Sequence, residues 1–136
     1  MKDNVRYNLP LAIGAGLLLL LLVGVLTFAG PCTHEDGTLA ACSTAGQATS
    51  IAAALGLALS VVALAVRNRK VSGALALAAA IAAIFAAIAP GTVFPLCMMR
   101  SMHCWAVMQP YSLVMGVAAA ILCLVGAVRI LRIARK

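Results

Sequence analysis

The chain has 136 residues, of which 65% are hydrophobic and only 10% are charged. This composition, with a mean hydropathy of +1.12, lies outside the range of soluble globular domains. The net charge of +7 would suggest nucleic-acid binding in a soluble protein. In so apolar a chain we predict instead an integral membrane protein in contact with the lipid bilayer, with no nucleic-acid partner.

Four uncharged apolar runs have the length of transmembrane helices. They span residues 11–29, 48–66, 71–89 and 111–128. Each is close to the roughly 20 residues that cross about 30 Å of hydrocarbon as a helix. Backbone groups in hydrocarbon must bond within their own segment, which favours helices. The sequence therefore predicts an all-α, polytopic membrane protein with four transmembrane helices.

Prolines and a short polar connection set the predicted helix ends. Pro10 and Pro110 open the first and fourth helices, where a missing N–H does no harm. The third helix ends at Pro90-Gly91. The connection 67–70 is so short that the second and third helices are predicted to be antiparallel neighbours.

The positive charges predict the orientation in the membrane. Nine of the ten Lys and Arg residues lie in the amino terminus, the 67–70 connection and the carboxyl terminus, all on one side of a four-span arrangement. Arg100 lies on the other side, with Glu35 and Asp36. The positive-inside rule then predicts a multi-pass protein of the bacterial cytoplasmic membrane with both termini cytoplasmic and the cysteine-bearing loops outside. The basic clusters also favour anionic lipid head groups.

The two halves of the chain resemble each other. Cys42 precedes Arg67 by 25 positions, and Cys104 precedes Arg129 by the same number. Each half reads as helix, outer loop, helix, so the repeats are predicted to be parallel and related by a pseudo-twofold axis along the membrane normal. The predicted repeats are 9–67 and 71–129, within a single domain spanning 1–136.

Four of the five cysteines fall at the two predicted outer loops. An even number of cysteines in short loops on the oxidising side of a membrane favours structural disulfides. Of the three pairings, Cys32–Cys42 with Cys97–Cys104 respects the duplication and is the one we favour. Cys123 lies within the fourth helix and is predicted to be a small buried hydrophobic residue.

A second interpretation of the outer loops is metal binding. Thiol, thioether and imidazole groups are the ligands that suit Cu(I), and the candidate ligands are Met99, Met102, His103, Cys104, Met108 and, from the first loop, His34. In a helical segment, Met99, Met102 and His103 share one face. Haem held by His103 or His34 with a methionine is an alternative, as is thiol–disulfide exchange.

The predicted spans contain no Asp, Glu, His, Lys or Arg. A proton relay or an ion-coupled carrier would lack its usual groups in such spans. The sequence also contains neither a nucleotide-binding loop nor a set of nucleophile, base and acid. These features favour a non-catalytic protein over an enzyme or a self-sufficient pump.

The arrangement of spans and cysteines resembles a family of small bacterial membrane proteins, the domain-of-unknown-function 4418 family. The likeness rests on the four spans and on several short motifs: Cys32, Cys42, Ala45-Gly46-Gln47-Ala48, Ala89-Pro90, Cys97, Met102 and Cys104. Family members often have a histidine after the second cysteine of the first half, where this chain has Ser43. The resemblance implies association with ATP-driven export permeases more than an enzymatic activity.

The leading hypothesis from the sequence is a non-catalytic accessory or scaffold protein. Its expected partner is a larger membrane protein such as an ATP-driven export permease, or a second copy of the chain. The alternative is an outward-facing module that binds copper or haem, or that exchanges thiols and disulfides.

Overall fold

The computed structural model describes residues 2–29, 42–94, 96, 101 and 103–136. Four α-helices account for most of them: α1 Lys2–Leu26, α2 Cys42–Ala65, α3 Arg69–Ile88 and α4 Gln109–Arg135. A non-helical turn, Ala89–Val93, follows α3, and one turn of π-helix, Cys104–Met108, precedes α4. All regular secondary structure in this part of the chain is helical, which confirms the predicted all-α class.

The helices form a four-membered ring in which each helix packs mainly against two others. α1 contacts α2 and α4, and α3 contacts the same two helices. Neighbours run antiparallel: Ser72, at the start of α3, donates to the carbonyl of Ala63 at the end of α2, at 2.6 Å. We call the end with residues 89–111 the loop end, and the end with residues 66–70 and 129–136 the basic end.

The core of the ring consists largely of alanine, supplemented by leucines of α1. Its fully buried alanines are Ala53, Ala76, Ala79, Ala80, Ala83, Ala86, Ala119 and Ala127. Leu11, Leu18 and Leu21 lie along one face of α1 and fill the space that these small residues leave. Small side chains let helix backbones approach closely, which is how transmembrane helices pack when hydrophobicity does not separate core from lipid.

The outer faces of the helices carry large aliphatic side chains. Exposed examples are Ile13 and Leu20 of α1, Ile51 and Leu55 of α2, Ile81 and Ile84 of α3, and Val114 and Ile121 of α4. Each helix contains a stretch long and apolar enough to cross a membrane: Asn8–Leu26, Ser43–Ala65, Arg69–Val93 and Trp105–Arg135. The chain therefore has the architecture of a multi-pass membrane protein.

The predicted end of the third helix is confirmed. α3 stops at Ile88, and Pro90 and Gly91 leave the helical region with ψ 120° and φ 89° respectively. A positive φ favours glycine, which has no Cβ to clash with the backbone. Pro110 lies in the first turn of α4, as predicted.

The prediction that Pro10 opens the first helix is wrong. α1 begins at Lys2, and Pro10 lies inside it. Proline removes one backbone hydrogen bond, here the one to the carbonyl of Arg6, close to the polar end of the helix. The apolar run marks the part of α1 that is suited to hydrocarbon, whereas the helix begins earlier, in the polar residues that precede this run.

Substitution of Gly116 in α4 tests the close packing of α3 and α4. A Cβ at this position would lie 2.7 Å from the Cβ of Ala87 and 3.0 Å from the carbonyl oxygen of Ala83. We expect Gly116→Ala to lower the free energy of unfolding by about 1–3 kcal/mol, the usual cost of overpacking. Unfolding by SDS in mixed micelles, followed by the fluorescence of Trp105, measures it.

The control for that variant is Gly16→Ala, because a Cβ at Gly16 would meet no atom within 4 Å. Gly16→Ala should leave the stability unchanged or raise it by up to about 1 kcal/mol, since alanine is the better helix former. Equal losses in the two variants would contradict this packing of α3 against α4.

Candidate functional site at the loop end

A small apolar cluster closes the loop end of the ring. Ala45, Leu96 and Met108 are buried in it, and Phe94 and Trp105 pack against them. We call these five residues the loop-end cluster. It joins the start of α2 to the segments before and after the second loop, so it fixes where that loop leaves and re-enters the bundle.

Local backbone structure positions the cluster. The turn of π-helix Cys104–Met108 leads directly into α4. Met108, at the junction, has helical φ and ψ. On the other side of the loop, the turn after α3 is closed by the amide of Gly91, which donates to the carbonyl of Phe94 at 3.0 Å. These two turns bring Phe94 and Met108 to the same side of the bundle.

Tyr111 connects α4 to α1 beside this cluster. Its hydroxyl donates to the backbone carbonyl of Leu20 at 2.6 Å, and its ring meets Phe28 edge to face, with centroids 5.0 Å apart. Gly24 provides the space, because a Cβ there would overlap the tyrosine ring. The ring of Tyr111 therefore packs at a specific place on α1.

The last turn of α1 presents a carbonyl to His103. The amide of Ala29 donates to the carbonyl of Gly24 at 2.8 Å and so extends the chain one turn beyond the helix. Nε2 of His103 then lies 2.5 Å from the carbonyl oxygen of Phe28. A carbonyl only accepts, so Nε2 carries the hydrogen, and in the neutral ring Nδ1 keeps a free lone pair.

Two of the predicted metal ligands have described side chains. His103 is exposed at the loop end, whereas Met108 is completely buried in the loop-end cluster. The backbone of Cys104 begins the turn before α4, and that of Cys42 begins α2, which places both at the loop end.

The other predicted ligands and the remaining outer cysteines lie outside the described residues: His34, Met99, Met102, Cys32 and Cys97, together with the side chains of Cys42 and Cys104. Within the described part of the chain, no three His, Cys, Asp or Glu side chains come together as metal ligands do. The proposed disulfides and the proposed metal or haem site therefore stay predictions.

Among the described residues, Cys123 places a thiol in the interior of the ring. Cys123 is fully buried, as predicted, and its sulfur lies 3.9 Å from the hydroxyl oxygen of Ser60. Ser60 donates to the carbonyl of Gly56 in its own helix at 2.7 Å. A Cβ on Gly14 would lie 3.0 Å from the thiol sulfur, so Cys123 fills the space that this glycine leaves.

Comparison with known protein families identifies a match over most of the chain. A family model described as "Domain of unknown function (DUF4418)" matches residues 13–129, which include most of α1, all of α2 and α3, and most of α4. The chain belongs to this family. The resemblance inferred from the cysteine and proline motifs is thereby confirmed. No curated protein and no solved structure matches this DUF4418 protein significantly.

Sequence reasoning missed the contacts between α1 and the segment around α4 in this DUF4418 protein. Gly24 and Tyr111 are 87 positions apart, and their contact leaves no local periodicity. The available signal was a glycine within an otherwise leucine-rich helix, which commonly marks close approach by another element. The motifs in the two loops point to the cysteines and carry no information on this contact.

Gly24 and Tyr111 should be energetically coupled. The added methyl group of Gly24→Ala overlaps the ring of Tyr111 and displaces it. The displacement removes both the hydrogen bond of Tyr111 and its contact with Phe28. We expect a loss of about 1–3 kcal/mol in the free energy of unfolding. In a Tyr111→Ala background the same glycine substitution should cost little. A double-mutant cycle measured by SDS unfolding gives the coupling, and additive losses would contradict the contact.

Proposed function

We propose that this DUF4418 protein is a non-catalytic accessory protein of the bacterial cytoplasmic membrane. It docks on a larger membrane partner, such as an ATP-driven export permease, and serves as a scaffold rather than as a transport path. The main observation behind this proposal is the open space beside Gly16, on the outer face of α1.

Gly16 faces away from the ring, and no atom lies within 4 Å of where its Cβ would be. Ala12, one turn earlier on α1, is exposed as well. Two small residues four positions apart let the backbone of another helix approach closely. Ile13 and Leu20 flank this shallow notch and are about half exposed, so they offer apolar contacts on either side of an incoming helix.

The packed interior supports a scaffold. Buried hydroxyls donate to backbone carbonyls: Thr49 to Ala45 at 2.8 Å and Ser72 to Ala63 at 2.6 Å. Such bonds satisfy polar groups inside a membrane protein without leaving a site for a solute. Between these residues the ring is filled by alanines and by the leucines of α1, which supports a role in which the rigid bundle presents its outer surface to a partner.

We also propose the orientation of the chain in the membrane, the duplication of its two halves and the two disulfides that the sequence predicts. Both termini are cytoplasmic, the cysteine loops face outside, and the halves 9–67 and 71–129 are parallel repeats. Cys32 pairs with Cys42, and Cys97 with Cys104. In support, the backbones of Cys42 and Cys104 lie at equivalent places in the two halves, at or just before the helix that leaves the loop end.

Docking through α1 is tested by Gly16→Leu. The leucine fills the notch on the outer face and should reduce copurification of the partner from native membranes several-fold, while the folded chain is retained. The matched control is Ala74→Leu, which adds a leucine at an exposed position of α3, the helix diagonal to α1. Quantitative mass spectrometry of the purified complexes provides the measurement.

Three results would decide the docking proposal. Loss of the partner in Gly16→Leu alone supports docking through α1. Equal recovery of the partner in Gly16→Leu and wild type, or equal loss in both variants, would reject this face as the docking surface. A second copy of the chain in place of a larger protein would mean that α1 mediates self-association.

One observation favours a second candidate, an outward-facing soft-metal module. Histidines that bind metals usually donate their other ring N–H to a carbonyl or carboxylate, which fixes the ring and its tautomer. The bond from Nε2 of His103 to the carbonyl of Phe28 has this form and leaves Nδ1 available at an exposed position. In this candidate Cys104 is a thiolate ligand to Cu(I), so it cannot be in a disulfide.

A further inference from the structure

A groove of about 620 Å³ lies at the basic end of the bundle, between the start of α3 and the last turns of α4. Its lining residues are Lys70, Val128, Leu131, Arg132, Ala134 and Arg135. Three of the six are cations, none is acidic, and the other three are apolar. The groove therefore combines a positive rim with an apolar wall.

The packing of α3 against α4 shapes this groove. Leu131 lies over Gly73, with its Cδ2 atom 2.6 Å from where a Cβ on that glycine would be. Val128, Arg132 and Arg135 follow one another at three- and four-residue spacing, so they share a face of α4. Asn68 caps α3 by accepting a hydrogen bond from the amide of Lys70 at 3.2 Å, which fixes the first turn that carries this lysine.

We propose that this groove binds one anionic phospholipid. The head-group phosphate lies among Lys70, Arg132 and Arg135, and an acyl chain lies along Val128 and Leu131. Guanidinium groups suit phosphate oxygens because they donate in pairs from a plane. An apolar wall leading away from a cationic rim matches an amphiphile, whereas a free anion uses only the rim.

A neighbouring cleft at the same end fits an anion less well. It has a volume of about 560 Å³ and is lined in part by residues 63–66, at the end of α2. Two of its ten lining residues are cations, Arg67 and Arg69, whereas three of the six residues that line the groove are cations. The groove between α3 and α4 is therefore the site that we assign to the lipid.

Native mass spectrometry of the delipidated full chain in a non-ionic detergent tests this assignment. The chain is titrated with dioleoyl phosphatidylglycerol or with dioleoyl phosphatidylcholine, which has the same acyl chains and no net charge. We expect one phosphatidylglycerol to bind at least about tenfold more tightly than phosphatidylcholine, since each nearby cation favours an anionic lipid several-fold.

Two charge-matched variants locate the site. K70Q/R132Q/R135Q removes three charges from the groove and should abolish the preference for phosphatidylglycerol. R67Q/R129Q/K136Q removes three charges from the same end, outside the groove, and should keep it. If the first variant does not fold, the single variants R132Q and R129Q make the same comparison.

The opposite results would overturn the proposal. Equal binding of the two lipids, or equal loss in the two variants, would mean that the basic end attracts anionic lipids without a defined site. Displacement of phosphatidylglycerol by millimolar inorganic phosphate would identify a free-anion site in place of a lipid site. Retention of the lipid under phosphate supports the assignment.

Discussion

Close contact between helix backbones is the constraint on which this structure depends. Lipid tails are as apolar as leucine, so hydrophobicity alone does not hold transmembrane helices together, and packing at short range does. At Gly116 the backbone of α4 lies against Ala83 and Ala87 of α3, and at Gly126 it lies against the backbone of Leu11 of α1. α4 is thus held on both sides through glycine.

The two ends of the bundle are positioned by that core. At the loop end, Gly24 admits Tyr111, and the extended end of α1 presents the carbonyl of Phe28 to His103. At the basic end, Gly73 admits Leu131 and sets the groove beside Lys70. The interior has no charged side chain among its described buried residues, so the chemically distinctive groups lie where the helices end. This distribution fits a protein that acts through its surfaces.

The sequence predicted the number of helices, the stop at Pro90-Gly91 and the burial of Cys123, because these follow from run length, backbone chemistry and residue size. It could not show which face of each helix lies inside. In a soluble protein the larger apolar residues mark the core, whereas here Ala79 and Ala83 are buried while Ile81 and Ile84 are exposed. Hydrophobicity therefore does not distinguish the core face from the outer face.

Long-range contacts were also beyond the sequence pattern. Phe28 and His103 are separated by 75 positions and meet through the backbone carbonyl of Phe28. Every residue has such a carbonyl, so the sequence gives no sign of this contact. Met108 is a predicted ligand because it follows a methionine-rich loop, and the sequence does not show that the turn before α4 buries it in the loop-end cluster. Such turns depend on how the ends of the bundle fit together, which becomes visible only in the folded chain.

The most direct test of the scaffold is the redox state of its cysteines. Intact mass of the unreduced, purified protein is measured with and without thiol alkylation under denaturing conditions, with metal analysis of the same sample. The scaffold predicts that Cys123 alone is alkylated, that the four outer cysteines are oxidised, and that no metal is bound. Alkylation of Cys97 and Cys104, with about one copper per chain, would contradict the scaffold and establish the loop end as a ligand site.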